Sequence, residues 1–323
     1  MPAADLPDFS DLLLTLYRLS HESPIEAFQD AALELVKTVV PFDSSMWGTA
    51  TMTATGVDIH TIHLHRSSPE MLLEYEQHKA HDAAAQAVLA HRHATGLFHT
   101  PSTVQDAGLR DFLHRHGHEN IFITASSDPA TRFVHAISLF RSDRDAQGRE
   151  DERQWLALLR PHLMQALALN RATHLQRWAP AATGLPRGLA VADLRGAVYQ
   201  ADPPFAALLR DEWPGWHGGV LPPSLLKPLL SGKDEYAGST LVVRRQVRHG
   251  LLFLRARPRC PADALSPRER EVALLMAAGH THKQVALQLH RAPATVRNHL
   301  QSIYGKLGVS NVAGLIEALR LAG

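Results

Sequence analysis

Apolar residues recur at helical spacing along residues 8–19 and again along 24–39, where Ile25, Phe28, Ala32, Leu35 and Val36 fall on one side. Pro41, Phe42 and Asp43 end that run. The period then changes. Residues 44–53 (SSMWGTATMT) and 57–66 (VDIHTIHLHR) predict two paired strands around a turn at Ala54, Thr55 and Gly56. Helical spacing returns over 70–78, 82–91 and 109–114. Two further strands are predicted over 120–125 and 132–141, with 126–131 as the loop between them. A long helical stretch spans 149–177, bent or restarted at Pro161, because proline removes a backbone donor and crowds the preceding turn. Its stripe of Trp155, Leu158, Leu159, His162, Leu163, Ala166 and Leu169 can pack on its own sheet or on a second chain. Helices, a small antiparallel sheet and a long exit helix predict an α+β domain.

Residues 178–184 (WAPAATG) read as a linker. Beyond it a strand over 189–192, a turn over 193–196, a second strand and a helix after Pro203 and Pro204 make a compact start. The stretch STLVVRRQVRHGLLFLRARP predicts a hairpin turning at His249 and Gly250. Residues 255–264, with Pro258 and Pro261, read as a tether.

The tail predicts a set of short amphipathic helices punctuated at both ends. Ser266, Pro267 and Glu269 form an N-cap, an N1 proline and a capping-box partner. Val272, Leu275 and Met276 share one face, and Gly279 stops the helix. Thr281 and Gln284 repeat the capping-box spacing, ahead of Val285, Ala286 and Leu289. A third helix runs from Pro293 to Leu307, stopped by Gly308, with Val296, Leu300, Ile303 and Leu307 inward. Its other face carries Thr295, Arg297, Asn298 and Gln301, spaced three and four apart so that they project together. Arg, Asn and Gln can make paired hydrogen bonds to base edges in the major groove. Lys283 and Lys306 flank the set and suit phosphates, which position without specifying. A solvated polar face on a small helical bundle is the alternative reading of the same residues.

This segment resembles the DNA-binding domain of LuxR-type helix-turn-helix transcription regulators. The resemblance rests on LSPREREV, the AAG turn, Lys283 with Val285 and Ala286, Leu289, TVRNH at 295–299 and KLGV at 306–309. It covers about one fifth of the chain. It implies that the TVRNH helix enters the major groove and that Lys283, Thr295 and Lys306 touch phosphate. His282 stands where that family usually has Asn, Arg291 and Ala292 replace Ile-Ser, and Val312 replaces a frequent Arg. Ala292 removes a good N-cap, worth about 1 kcal/mol. Upstream, the order of elements resembles a GAF-like sensor domain, a fold that also resembles the autoinducer-binding domain of quorum-sensing LuxR proteins. GLAVADLRGAVYQADPPFAALL resembles the opening of a PAS domain, although Asp202 replaces a frequent Asn. At about 80 residues the segment is short for that fold.

Composition sharpens the division. The chain has 323 residues, 45% of them hydrophobic, so two or three domains with real cores are expected. The net charge is only +1. From residue 265 onward there are seven Lys/Arg against three Asp/Glu, a net of +4, which leaves −3 for the rest. A basic tail on a slightly acidic body suits a DNA reader attached to something else. One cysteine, Cys260, excludes an intramolecular disulfide. No segment has the length and apolarity of a membrane span or signal sequence, and the expected location is cytoplasmic.

Histidine is abundant, at 21 residues, in the clusters His60/His63/His65, His78/His81, His91/His93 and His114/His116/His118. His114 and His118 have a metal-like spacing, but Gly117 interrupts the helix and no Cys or Glu has ligand spacing. No metal site or cofactor is therefore assigned, and a metal- or haem-binding sensor stays as the alternative. Motifs of hydrolases, phosphate-binding loops and dinucleotide folds are missing, so the chain is read as a non-enzyme. A ligand pocket is expected in the first domain. Candidate lining residues are Met46, Trp47, Ile59, Ile62, Phe122, Phe133 and His135, with Thr124 beside them and with Tyr75 and Asp82 nearby. Tyr75 followed by Asp82 is loosely similar to a stretch of autoinducer domains in which an Asp accepts a hydrogen bond from the ligand. The rest of that pattern is unmatched, which disfavours an acyl-homoserine lactone. Core packing for Trp47 and a helix N-cap for Asp82 are the structural alternatives.

The expected protein is multidomain: an α+β GAF-like sensor with its exit helix (1–178), a short PAS-like α+β domain (179–258) and an all-α four-helix LuxR-type helix-turn-helix domain (259–323). Its expected role is a homodimeric transcription regulator that answers a small-molecule effector, reads a two-fold site on double-stranded DNA and meets RNA polymerase. Control without any small ligand, and an enzyme fused to a reader, are the remaining alternatives.

Overall fold

The computed structural model describes residues 6–53, 56–91, 93–127, 133–178 and 187–322. Two compact units divide the chain. The first comprises Met1–Trp178 together with Asp193–Gln200 and Val247–Leu251, and the second comprises Ala179–Ala192, Ala201–Gln246 and Leu252–Gly323.

The first unit opens with helices α1 (Leu6–Glu22) and α2 (Phe28–Lys37). Strands β1 (Ser44–Thr53) and β2 (Gly56–His65) pair antiparallel, as the alternation predicts; Ala54 and Thr55 of the expected turn lie outside the described residues. Helices α3 (Pro69–His78) and α4 (Ala83–Leu89) precede strand β3 (His93–His99), which the periodicity did not predict. Helices α5 (Thr100–Thr103) and α6 (Ala107–Arg115) lead to β4 (Asn120–Ser127) and β5 (Phe133–Arg141). Helix α7 (Glu150–Trp178) closes the run. It is one helix of 29 residues that continues through Pro161, so the expected restart does not occur. Glu150, Asp151 and Glu152 favour its first turn and Arg177 its last, in the sense of the helix dipole.

The sheet is antiparallel in the order β2-β1-β5-β4-β3. Both faces are covered. Strand alternation sends Trp47, Phe122, Ile137 and Leu139 to one face, where α1, α2 and α7 pack through Leu16, Phe28, Leu33 and Leu159. Ile121, Ile123 and Val134 face the other way, onto Met71, Val88 and Phe112 of the intervening helices. Burying each such side chain contributes about 1.5–3 kcal/mol. Within the α7 stripe Leu159, Leu163 and Ala166 are buried, whereas Leu158 is 51% exposed. Leu156 and Leu167 take up the buried positions that the sequence stripe omitted.

Strands β6 (Gly188–Asp193) and β7 (Val198–Ala201) begin a second sheet. Asp202 then caps α8 (Pro203–Glu212), its carboxylate accepting from Phe205 N–H at 2.8 Å. Helix α9 (Pro223–Leu230) and strand β8 (Glu235–Ala237), neither of them predicted, precede the hairpin of β9 (Leu241–Arg248) and β10 (Leu251–Pro258). His249 (φ 49) and Gly250 (φ 70) are both left-handed at its turn, as a two-residue hairpin loop requires. The strand order is β7-β6-β10-β9-β8, so both sheets place their own strands in the order second, first, fifth, fourth, third.

The expected tether over 255–264 is a correction. Its first residues complete β10, and Pro261–Ala264 is a 3-10 turn. The side chains of Arg257 and Asp263, 6% and 5% exposed, form a two-pronged ion pair at 2.7 Å, and Cys260 is buried beside them. The tract is packed structure because Arg257 finds its carboxylate six residues on. Of the expected linker over 178–184, only Trp178 lies within the described residues.

Helices α10 (Pro267–Ala277), α11 (His282–Gln288), α12 (Pro293–Leu307) and α13 (Val312–Ala322) complete the chain. No described helix is long and apolar enough to cross a membrane.

Candidate nucleic-acid interface and sensor cleft

The sequence of the tail dictates its helix ends. Ser266 Oγ accepts from Glu269 N–H, and Glu269 accepts in return from Ser266 N–H at 2.8 Å. Thr281 and Gln284 do the same for α11. Ala292 has the extended backbone of an N-cap but no side chain to donate to, and Gly308 ends α12 at φ +66. Val272, Ala273, Val285, Ala286, Val296, Ile303 and Leu315 form the core of the bundle. That core turns the opposite face of α12 outward: Thr295, Arg297, Asn298 and Gln301 are exposed, as is Lys283. No other described residue engages the side chains of Arg297, Asn298, Gln301 or Lys283. Lys306 differs. Its ammonium donates to Glu269 at 2.6 Å, and Ser302 Oγ donates to the same carboxylate at 2.7 Å, tying α12 to the start of α10.

Residues 263–319 match the luxR family of bacterial regulatory proteins. This C-terminal segment is a LuxR-family helix-turn-helix domain. The probable transcriptional regulatory protein NarL of Mycobacterium tuberculosis is 44% identical over 68 residues, 21% of this chain and 32% of that protein. The transcriptional activator protein BglJ of Escherichia coli is 48% identical over 54 residues, 17% of this chain and 24% of that protein. The chain thus spans about a third or less of the length of these curated relatives. Among solved structures, SdiA in complex with octanoyl-rac-glycerol aligns over 98% of this chain and 96% of that one, at 14% identity and a TM-score of 0.40, a likeness too slight to carry an argument.

A cleft of about 320 Å³ opens in the first unit. Its walls come from Ile25 and Gln29, from Trp47 on β1, from β2, from Leu167 and Arg171 on α7, and from the turns at 193–195 and 249–251. A β-bulge prepares one wall. Thr49 pairs with Thr61 while Ala50 pairs with Ile59, so His60 is an extra residue on β2. His60 and Thr61, though adjacent, therefore both reach one polar network. His60 Nε2 meets Thr51 at 2.9 Å and its Nδ1 meets Asp193 at 2.9 Å. The Tyr199 hydroxyl lies 2.8 Å from Thr49 and donates to Asp193 at 3.2 Å. Asp193 also accepts from the N–H groups of Arg195 and Ala197. The Arg171 guanidinium lies 4.6 Å above the Tyr199 ring. Burial lowers its pKa to about 10, against the pull of Tyr199 and Asp193, so it stays charged at neutral pH. Burial and then the Arg171 charge push His135 down to about 4.

The structure distributes the sequence-selected ligand residues over both faces of the sheet. Trp47 and Ile62 line the cleft. His135 pairs with Thr49 and feels the Arg171 charge. Met46, next to Trp47 on an alternating strand, packs on the opposite core with Tyr75. There Tyr75 donates to Asp82 at 2.9 Å, and Asp82 caps α4 by accepting from Ala85 N–H at 2.9 Å. Phe122 lies within the core against Arg141, and Ile59 pairs with Ala50 across the bulge. The side chain of Phe133 lies outside the described residues. Sequence reasoning missed Arg171, Tyr199, Asp193 and His60 at the cleft.

The histidine clusters also separate. His118 is buried and stacks on Phe140 at 3.6 Å, while His114 pairs with Glu119. His63 and His65 converge with Asp30 of α2: their ring nitrogens lie 2.8 and 2.7 Å from one carboxylate oxygen. Burial would raise the Asp30 pKa, but the bonds from His65 and His63 outweigh it and hold it below the usual carboxylate value. These three residues are arranged so that they can hold a metal ion.

Proposed function

We propose that the chain is a sequence-specific DNA-binding transcription regulator, acting as a homodimer on a two-fold DNA site, whose first domain responds to a small molecule. The observation that carries the reading is the α12 face, on which Arg297, Asn298 and Gln301 stand exposed and unengaged on a firmly packed LuxR-family domain. Thr295 and Lys283 border that face and suit phosphates. Lys306 reaches phosphate only in competition with Glu269. The sheet covered on both faces supports a GAF-like reading of 1–178, and the smaller sheet of the same strand order supports a PAS-like reading of 179–258. The cleft supports a small effector. RNA polymerase is the expected further partner.

Arg297→Ala and Gln301→Ala should each lose about 1–3 kcal/mol of discrimination at particular base pairs. Lys283→Ala should weaken binding evenly across sequences and flatten the salt dependence. Footprinting and salt titration on a selected site measure both. An unchanged footprint for Arg297→Ala removes α12 as the reading helix. The Asp30, His63 and His65 cluster favours a second reading, a metal-responsive sensor, which metal analysis of the purified protein and of His65→Ala decides.

A further inference from the structure

A buried cation needs a counter-charge, and among the described residues Arg171 has only the electrostatic pull of Asp193, with no ion pair to it. It is 6% exposed and lines the cleft, yet among the described residues no carboxylate or other acceptor bonds its guanidinium, and its Nε is fully buried. The nearby Asp193 is occupied by four other donors: His60, Tyr199 and two backbone N–H groups. Face contact with the Tyr199 ring offsets only part of the desolvation. A second buried donor meets no acceptor at the same cleft. Trp47 is 1% exposed, also lines it, and its indole Nε1 has no partner among the described residues. Buried donors are nearly always satisfied, so two orphans at one cavity mark the place of an acceptor-rich ligand.

We propose that this cleft binds a small organic monocarboxylate, its carboxylate on Arg171 and the Trp47 N–H. The planar guanidinium fork matches a carboxylate in both geometry and charge. One negative charge fits better than two, because the other arginine lining the cleft is committed: Arg195 pairs with Asp58. Ile25, Leu167 and Leu251 supply an apolar wall for the body of the ligand. The volume, at the small end of ligand pockets, limits that body to a short chain or a single ring. The inference rests on the sensor reading above only for its consequence, since Arg171 sits on α7, the exit helix of the domain.

Calorimetric titration of the full-length protein with benzoate and hexanoate, each against its neutral amide, tests it. At least one acid should bind tenfold or more tighter than its amide. Arg171→Met should erase that preference. Trp47→Phe, which keeps an aromatic ring in the core, should weaken the acid threefold or more. Acids held no tighter than their amides, or undiminished acid binding by folded Arg171→Met, overturn the proposal. DNA affinity measured on the same samples separates the two readings. Acid binding that leaves DNA affinity unchanged keeps the site and removes the effector role. DNA binding with no acid preference does the reverse.

Discussion

Glu269 is the joint between the first helix of the LuxR-family domain and α12, whose exposed face carries Arg297, Asn298 and Gln301. Its side chain, 7% exposed, accepts from Ser266 N–H at 2.8 Å, Ser302 at 2.7 Å and Lys306 at 2.6 Å. The bond from Lys306 first, then those from the Ser266 backbone and Ser302, lower its pKa from 4.5 to about 2. A depressed carboxylate stabilises the folded state fully above pH 4.5 and loses that contribution as pH falls towards 2. The full fall corresponds to at most about 3 kcal/mol. The Lys306 side chain is 40% exposed, and solvent screening reduces the ionic part to about 1–2 kcal/mol. Alanine also abandons the capping-box bond and the bond from Ser302, together about 1 kcal/mol. Glu269→Ala should therefore cost about 2–3 kcal/mol. Glu269→Gln, which keeps an acceptor for its neutral donors, should cost about 1–2 kcal/mol. Amide hydrogen exchange on the full chain reads this locally. Protection in α10 and α12 should fall about thirtyfold or more in the alanine variant, by the same factor at every pH between 5 and 7. Unchanged protection in α12 would refute the assignment of Glu269 as the link.

Ala292→Ser should add about 0.5–1 kcal/mol to the domain, because the backbone at 292 is already extended and Ser can accept from Thr295 N–H; equal exchange protection in α12 before and after would contradict this. His118 should stay neutral far below its ordinary value, since burial and then His116 lower its pKa to about 3. A depressed histidine stabilises the fold above pH 6.5 and is lost as pH falls towards 3, roughly 2 kcal/mol of it by pH 5. Ring-nitrogen NMR follows this directly, and a His118 signal titrating near 6.5 would sink the idea.

The tail was legible because its information is local. Ser266 with Glu269, Thr281 with Gln284, Pro293 and Gly308 fix helix ends through bonds spanning three or four residues, and the structure places each as the spacing requires. The exposed face of α12 follows from the same periodicity. Lys306 shows the limit. Its partner Glu269 lies 37 residues away on α10, so the sequence presents it as a free cation while the fold engages it. The first strand pair was legible from alternation, but β3 was not: His93–His99 runs the small residues Ala94, Thr95 and Gly96 together ahead of Leu97 and Phe98 and has no clear period.

The cleft was illegible for a different reason. A strand pattern tells which residues alternate, and the bulge at His60 breaks that alternation where the polar network forms. Met46 and Trp47 were grouped by proximity in sequence, although adjacent strand residues must face opposite ways. Arg171 shows no sequence signal at all: one arginine among many on a long helix, it reads as a solvated charge. Only the folded chain shows it buried above Tyr199, with nearby Asp193 engaged by four other donors. Here a residue's chemistry is set by what its neighbours fail to supply. A bound anion at Arg171 would have a direct hold on α7, the longest described helix. If ligand and DNA are coupled through that helix, each must change the other's affinity by the same factor, and Arg171 is the residue through which that factor would be lost.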